Sequence, residues 1–254
     1  KNPKPLTLPE LRAAIREVPH AVAIPQTVHP AASESSTGKR SLTIVSTHDY
    51  NLPADFYPVA GPGRHPAVLF LLPTLQDTTH PEDQQAIDAL VQGGSDVLAF
   101  TPRPSPPGSE ETKSPILGPF YLTELRAELT GNTLLGLRVD DVIHAADLLA
   151  GEPSADPHNI TAVANGHLGL VLLHAAVLDP RLKHILVDHT LESYHSLLEA
   201  PMPIGAPQDI LPGVLLHYDI PDLVKALGMR LTFLDPLPGT ANLSARGPEP
   251  PTAP

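Results

Sequence analysis

Apolar and polar positions along this chain change period in a regular order. Ser41–His48 and Leu52–Val59 alternate apolar with polar residues, the period of half-buried strands, and read as an antiparallel hairpin. Pro66–Leu72 is almost wholly apolar and predicts a strand covered on both faces. Pro81–Gln92 carries a helical pattern, with Thr79 as its N-cap and Gly93-Gly94 as its stop. Ser95–Thr101 is the next strand. Leu134–Ala150 repeats Leu135, Val139, Val142 and Ala146 near the helical period and predicts an amphipathic helix. The strand Asn159–Ala164, a glycine-containing turn and the apolar helix Leu168–Leu178 follow. Lys183–Val187 and Arg230–Leu234 predict two further strands, separated by the mostly helical Ile210–Leu227. Such alternation argues for a mostly parallel sheet with helices on both faces.

The flanks read differently. Lys1–Pro9 is polar and proline-rich and leads into a short amphipathic helix, Leu8–Val18, so residues 1–40 are expected to be a linker with one helix. Residues 41–237 form the expected domain. Residues 238–254 continue a Pro/Gly-rich tail that reads as extended. Ala31–Lys39 and Pro102–Pro119 read as exposed loops, the second also a candidate pocket wall. A first residue of Lys rather than Met suggests a processed protein or a fragment.

Composition narrows the classes. The chain has 254 residues, 41% hydrophobic and 17% charged, enough for one large domain with a sizeable core. A net charge of -12 argues against nucleic acid and anionic membranes. No window reaches the roughly 20 apolar residues of a transmembrane helix. There is no cysteine, so disulfides and thiolate sites are excluded. Thirty-two prolines and five phenylalanines imply stiff loops and a core of Leu, Val, Ile and Ala.

The chain resembles the acetyl-xylan-esterase and prolyl-oligopeptidase-like branch of the α/β-hydrolases. The resemblance spans roughly residues 40–237. Its carriers are Pro66–Leu72, the Arg138-Val139-Asp140-Asp141 helix, the turn Asn165-Gly166-His167-Leu168-Gly169, Asp179-Pro180-Arg181, and Leu211–Leu223. It implies a serine nucleophile in the pattern G-x-S-x-G, a histidine base, a carboxylate orienting it, and backbone donors for the oxyanion. Counted in that frame, His167 stands where the serine should be. Leu168 and Thr74 are the oxyanion-loop positions, and the preceding Pro73 has no N–H to donate. Asp235 lies near the acid position, although the family register puts Pro238 there. No histidine follows His217, and the 17 residues after Leu237 are expected to be too few for the last helix, strand and histidine loop.

The fold expectation is therefore an α/β-hydrolase-like sheet without its last strand and catalytic-histidine loop. The functional expectation is a catalytically degenerate, esterase-like module with a structural, binding or assembly role. A protein partner or tandem hydrolase domain is its expected company, and carbohydrate or a small ester its expected ligand. The alternative is an active carboxylic-ester hydrolase for acetylated carbohydrate or small esters. No cofactor is expected. A third reading lets His167, Asp188, His189 and Asp235, the vestigial-site candidates, gather around a divalent metal, but the spacing holds no metal-binding motif. The plainer expectation is that they are polar residues filling a vacated pocket, and no metal is expected. His144 and Asp147 are expected on a solvent edge, His174 in packing, Asp140 and Asp141 in surface or structural ion pairs, and Ser95 in a turn. The resemblance implies a bacterial secreted or periplasmic setting.

Overall fold

The computed structural model describes residues 6–25, 38–73, 81–103, 120–199 and 208–241. Thr74, the N-cap candidate Thr79, residues 31–37 and 104–119 of the two long loops, and the tail after Ala241 lie outside the described residues. Among the described residues seven strands form one sheet. They are β1 (Arg40–Ser46), β2 (Tyr50–Tyr57), β3 (His65–Leu71), β4 (Asp96–Phe100), β5 (Ala155–Asn165), β6 (Leu182–Asp188) and β7 (Leu231–Leu234). The helices are α1 (Leu8–Glu17), α2 (Pro81–Gln92), α3 (Tyr121–Leu129), α4 (Leu134–Gly151), α5 (His167–Leu178), α6 (Tyr194–Glu199) and α7 (Ile220–Leu227).

The strand order is β1-β2-β4-β3-β5-β6-β7. β2 pairs antiparallel with both β1 and β4, and the remaining pairs are parallel. The hairpin is thus present, but β1 stops at Ser46, not His48, because His48 and Asp49 turn left-handed at φ 61° and 55°. The chain leaves β3 in one direction and returns to pair β5 on the other side. That reversal opens a crevice at the carboxyl ends of the central strands, where open α/β sheets bind ligands.

Alternation along β3 splits the core in two. Val68 and Phe70, with Leu72 just beyond, pack against Ile87 of α2 on one face. Ala67, Leu69 and Leu71 join the larger cluster on the other face, with Ile15 of α1, Val142 of α4, Leu173 of α5 and Leu223 of α7. Ser95 closes the end of α2, its N–H donating to Leu90 O at 3.1 Å, as a turn residue should.

Helix α4 departs from expectation. Every residue except Leu137 and His144 is buried, so it has no solvent face of any width. Asp147, placed on a solvent edge by its spacing, is buried and accepts from Arg181 Nη2 at 2.6 Å. Asp140 accepts the Ala23 N–H at 2.8 Å. The segment after α1 lies directly on α4, so close that a Cβ on Gly136 would meet Pro19 O at 1.6 Å. The polar stripe of α4 therefore faces protein rather than water. Asp140 and Asp141 are structural, as one of the two expectations had it. Helices α3 and α6 were not predicted.

Candidate functional site

Strand β5 carries the chain to the crevice and ends at Asn165. Gly166 then takes φ 58° and ψ -131°, and α5 begins at His167. This backbone region is close to glycine-only. The fixed feature of a nucleophile elbow is that its reactive residue occupies the strained vertex between strand and helix. Here that vertex is Gly166, one position before His167. The expected frame moves by one residue: the vertex carries no side chain at all. The N–H that follows it belongs to His167, not to Leu168. Asn165 keeps ordinary strand geometry.

The turn is held from β6. Gly166 N–H donates to Asp188 O at 2.9 Å, and Thr190 Oγ1 donates to Gly166 O at 3.1 Å. Gly169 must pass beneath Thr190, since a Cβ there would lie 1.9 Å from Thr190 Oγ1. Gly169→Ala is expected to cost about 1–3 kcal/mol by overpacking, read from the shift of a urea midpoint. Adding Thr190→Ala should return part of that cost. Strictly additive losses would show that this contact is not the cause.

His167 lines a cavity of about 330 Å³ at the crevice. Its Nδ1 meets Asp209 Oδ2 at 2.5 Å, and the Asp209 carboxylate is buried. Neighbouring Gln208 accepts from Arg138 Nη1 at 2.9 Å. Arg138 also donates to Arg103 O at 2.8 Å and stacks on Phe120 at 4.6 Å. Burial pushes its guanidinium down to about 10, against the pull of Asp209 and Asp141, so it stays charged at neutral pH. The cavity is lined by apolar residues, among them Phe70, Leu72, Val163 and Leu186, and by polar ones, among them Arg138, Gln208, His167 and Asp188. No serine lines it among the described residues. Asp209 was missed in the sequence, where it is a lone acid beside proline-rich chain.

Of the other candidates, Asp188 shares the cavity wall with His167, and His189 and Asp235 do not line it. Asp188 ends β6, paired in register with Asn165 and Leu234. His189 and Asp235 follow β6 and β7, both with positive φ, 47° and 38°. Asp188, His189 and Asp235 bring one ligand atom each within 4.8 Å of one another. So three of the four expected residues gather, and the fourth turns to Asp209. The chain after β7 is also tied down: Leu237 N–H donates to Thr190 O and Gly239 N–H to Ser196 Oγ, both at 2.9 Å. Thr74 lies outside the described residues, whereas Pro73 lines the cavity.

The architecture has close likenesses among solved structures. A Bacteroides fragilis protein assigned to the acetyl xylan esterases superposes with TM-score 0.70 at 15% identity, over 89% of this chain and 67% of that one. The chain has the α/β-hydrolase fold. A methylesterase matches with TM-score 0.61 at 15% identity, over 90% of this chain and 50% of its own. Acetyl xylan esterase 1 from Thermoanaerobacterium matches with TM-score 0.51 at 18% identity, over 78% and 63%. The chain thus spans from half to two thirds of these hydrolases. No family model matches it, and no curated protein does.

Proposed function

We propose that the chain is a catalytically degenerate esterase-like module that holds a ligand in the elbow cavity without cleaving it. The observation that carries this reading is the vertex itself. Acyl transfer needs a nucleophile on the strained turn, and Gly166 offers only hydrogen. The cavity is retained, at the small end of the range for ligand pockets, with a few polar groups on an otherwise apolar wall. By resemblance its ligand is the acyl or sugar portion of an acetylated carbohydrate or similar small ester. Among the described residues β7 is a sheet edge, which suits docking to a protein partner or a tandem hydrolase domain.

A second reading has one observation in its favour. His167 with Asp209 at 2.5 Å is an imidazole held by a buried carboxylate, the pairing that serves as base and orienter in hydrolases. Water activated by His167 could then attack an ester without a serine. A fluorophosphonate probe and p-nitrophenyl acetate separate the two. The expected result is no labelling and no turnover above buffer. Turnover that disappears in His167→Ala would favour the second reading. Labelling at one serine, lost when that serine becomes alanine, would overturn the proposal.

A further inference from the structure

We propose that Asp188, His189 and Asp235 form a binding site for a first-row divalent transition metal, zinc being the ion of choice. The three residues converge at the carboxyl ends of β6 and β7, each with one ligand atom, all within 4.8 Å. Asp188 Oδ1 and His189 Nδ1 stand 2.8 Å apart, at ion-pair distance, with no hydrogen bond between them, and both atoms are closed off from solvent. An ion-pair contact without a hydrogen bond offsets only part of the desolvation of two enclosed atoms. A cation bound by both would satisfy them together, with Asp235 as the exposed third arm.

The donor set selects the ion. One imidazole nitrogen and two carboxylate oxygens suit zinc, whose N and O ligands stand at about 2.0–2.2 Å. Ligand atoms around such an ion lie roughly 3–4 Å from one another, so the observed cluster needs only small rotations to close. Calcium and magnesium prefer all-oxygen shells with more ligands than three residues give. The site does not depend on what the elbow does, because His167 and Asp209 lie outside it, although Asp188 also lines the cavity. Its consequence for the fold is a clamp between the ends of β6 and β7.

Calorimetric titration of the metal-free protein with zinc chloride at pH 7 tests this. The expected result is saturable one-to-one binding, weakened about tenfold or more in Asp235→Asn and in His189→Asn. Both variants should fold, since asparagine tolerates the positive φ at these positions. Magnesium and calcium should not compete. Absence of saturable zinc binding would overturn the proposal. So would wild-type affinity in either variant, which would place the ion on others of the 13 histidines.

Discussion

Asp141→Ala is expected to destabilise the protein by about 3–5 kcal/mol, the cost of breaking a buried ion pair and leaving its partner charged. Asp141 lies on α4 and is wholly buried. It accepts from Arg103 Nη2 at 2.6 Å, from Arg103 Nε and from the Arg103 backbone N–H at 2.9 Å, and from Ser46 Oγ at 2.5 Å. Arg103 also donates to Ser46 Oγ at 2.8 Å and stacks on Tyr50 at 4.8 Å. One carboxylate thus joins α4 to the end of β1 and to the chain leaving β4. Alanine would leave the buried guanidinium with only hydroxyl and carbonyl acceptors, Ser46 Oγ, Thr47 Oγ1 and Thr47 O. Against the roughly 5–15 kcal/mol that stabilises most domains, this loss approaches unfolding. Urea denaturation reads it directly. Converting Arg103 to Met in the Asp141→Leu background should recover part of it, since the buried charge goes as well. A cost below about 1 kcal/mol for Asp141→Ala would show that water reaches the site and takes over the carboxylate's role.

The sequence was legible where periodicity alone decides. β3 is apolar because it serves two cores, and β5, the turn and α5 stand where the pattern puts them. It was illegible where the partner lies far along the chain. The polar residues of α4 look solvent-facing until Ala23, Arg103 and Arg181 arrive from three other segments. Asp209 gives no local sign of its role, because what matters is its contact with a residue 42 positions away. The elbow frame failed for a different reason. Gly169 matches the last glycine of G-x-S-x-G and so counts the vertex to His167, but residue types cannot say whether the chain bends there or one position earlier. Only the backbone shows that it bends at Gly166, one position before His167.

Across pH 4–7 two buried groups are expected to pull stability in opposite directions and nearly cancel. His174 is wholly buried on α5; its Nδ1–H donates to Leu170 O at 2.8 Å, and Nε2 accepts from Tyr218 Oη at 3.0 Å. Burial pushes the imidazole down to about 4, opposed in part by the Leu170 carbonyl. The unfolded chain takes the proton first, near pH 6.5, so the contribution of His174 is full above that pH and falls by about 3 kcal/mol on the way to pH 4. Glu124 runs the other way. Burial raises its carboxyl to about 7, against the Leu134 N–H that donates to Oε2 at 2.8 Å. Its contribution is full below about pH 4.5, the unfolded value, and is lost by about 3 kcal/mol as pH rises through 7. Urea midpoints from pH 4 to 7 for wild type, Glu124→Gln and His174→Gln separate the two. Relative to wild type, Glu124→Gln should lose about 3 kcal/mol as pH falls across the window, and His174→Gln should gain about as much. Difference curves that stay flat for either variant would show that the group titrates at its ordinary value in the folded chain. In that case water must reach it inside a core that otherwise excludes it.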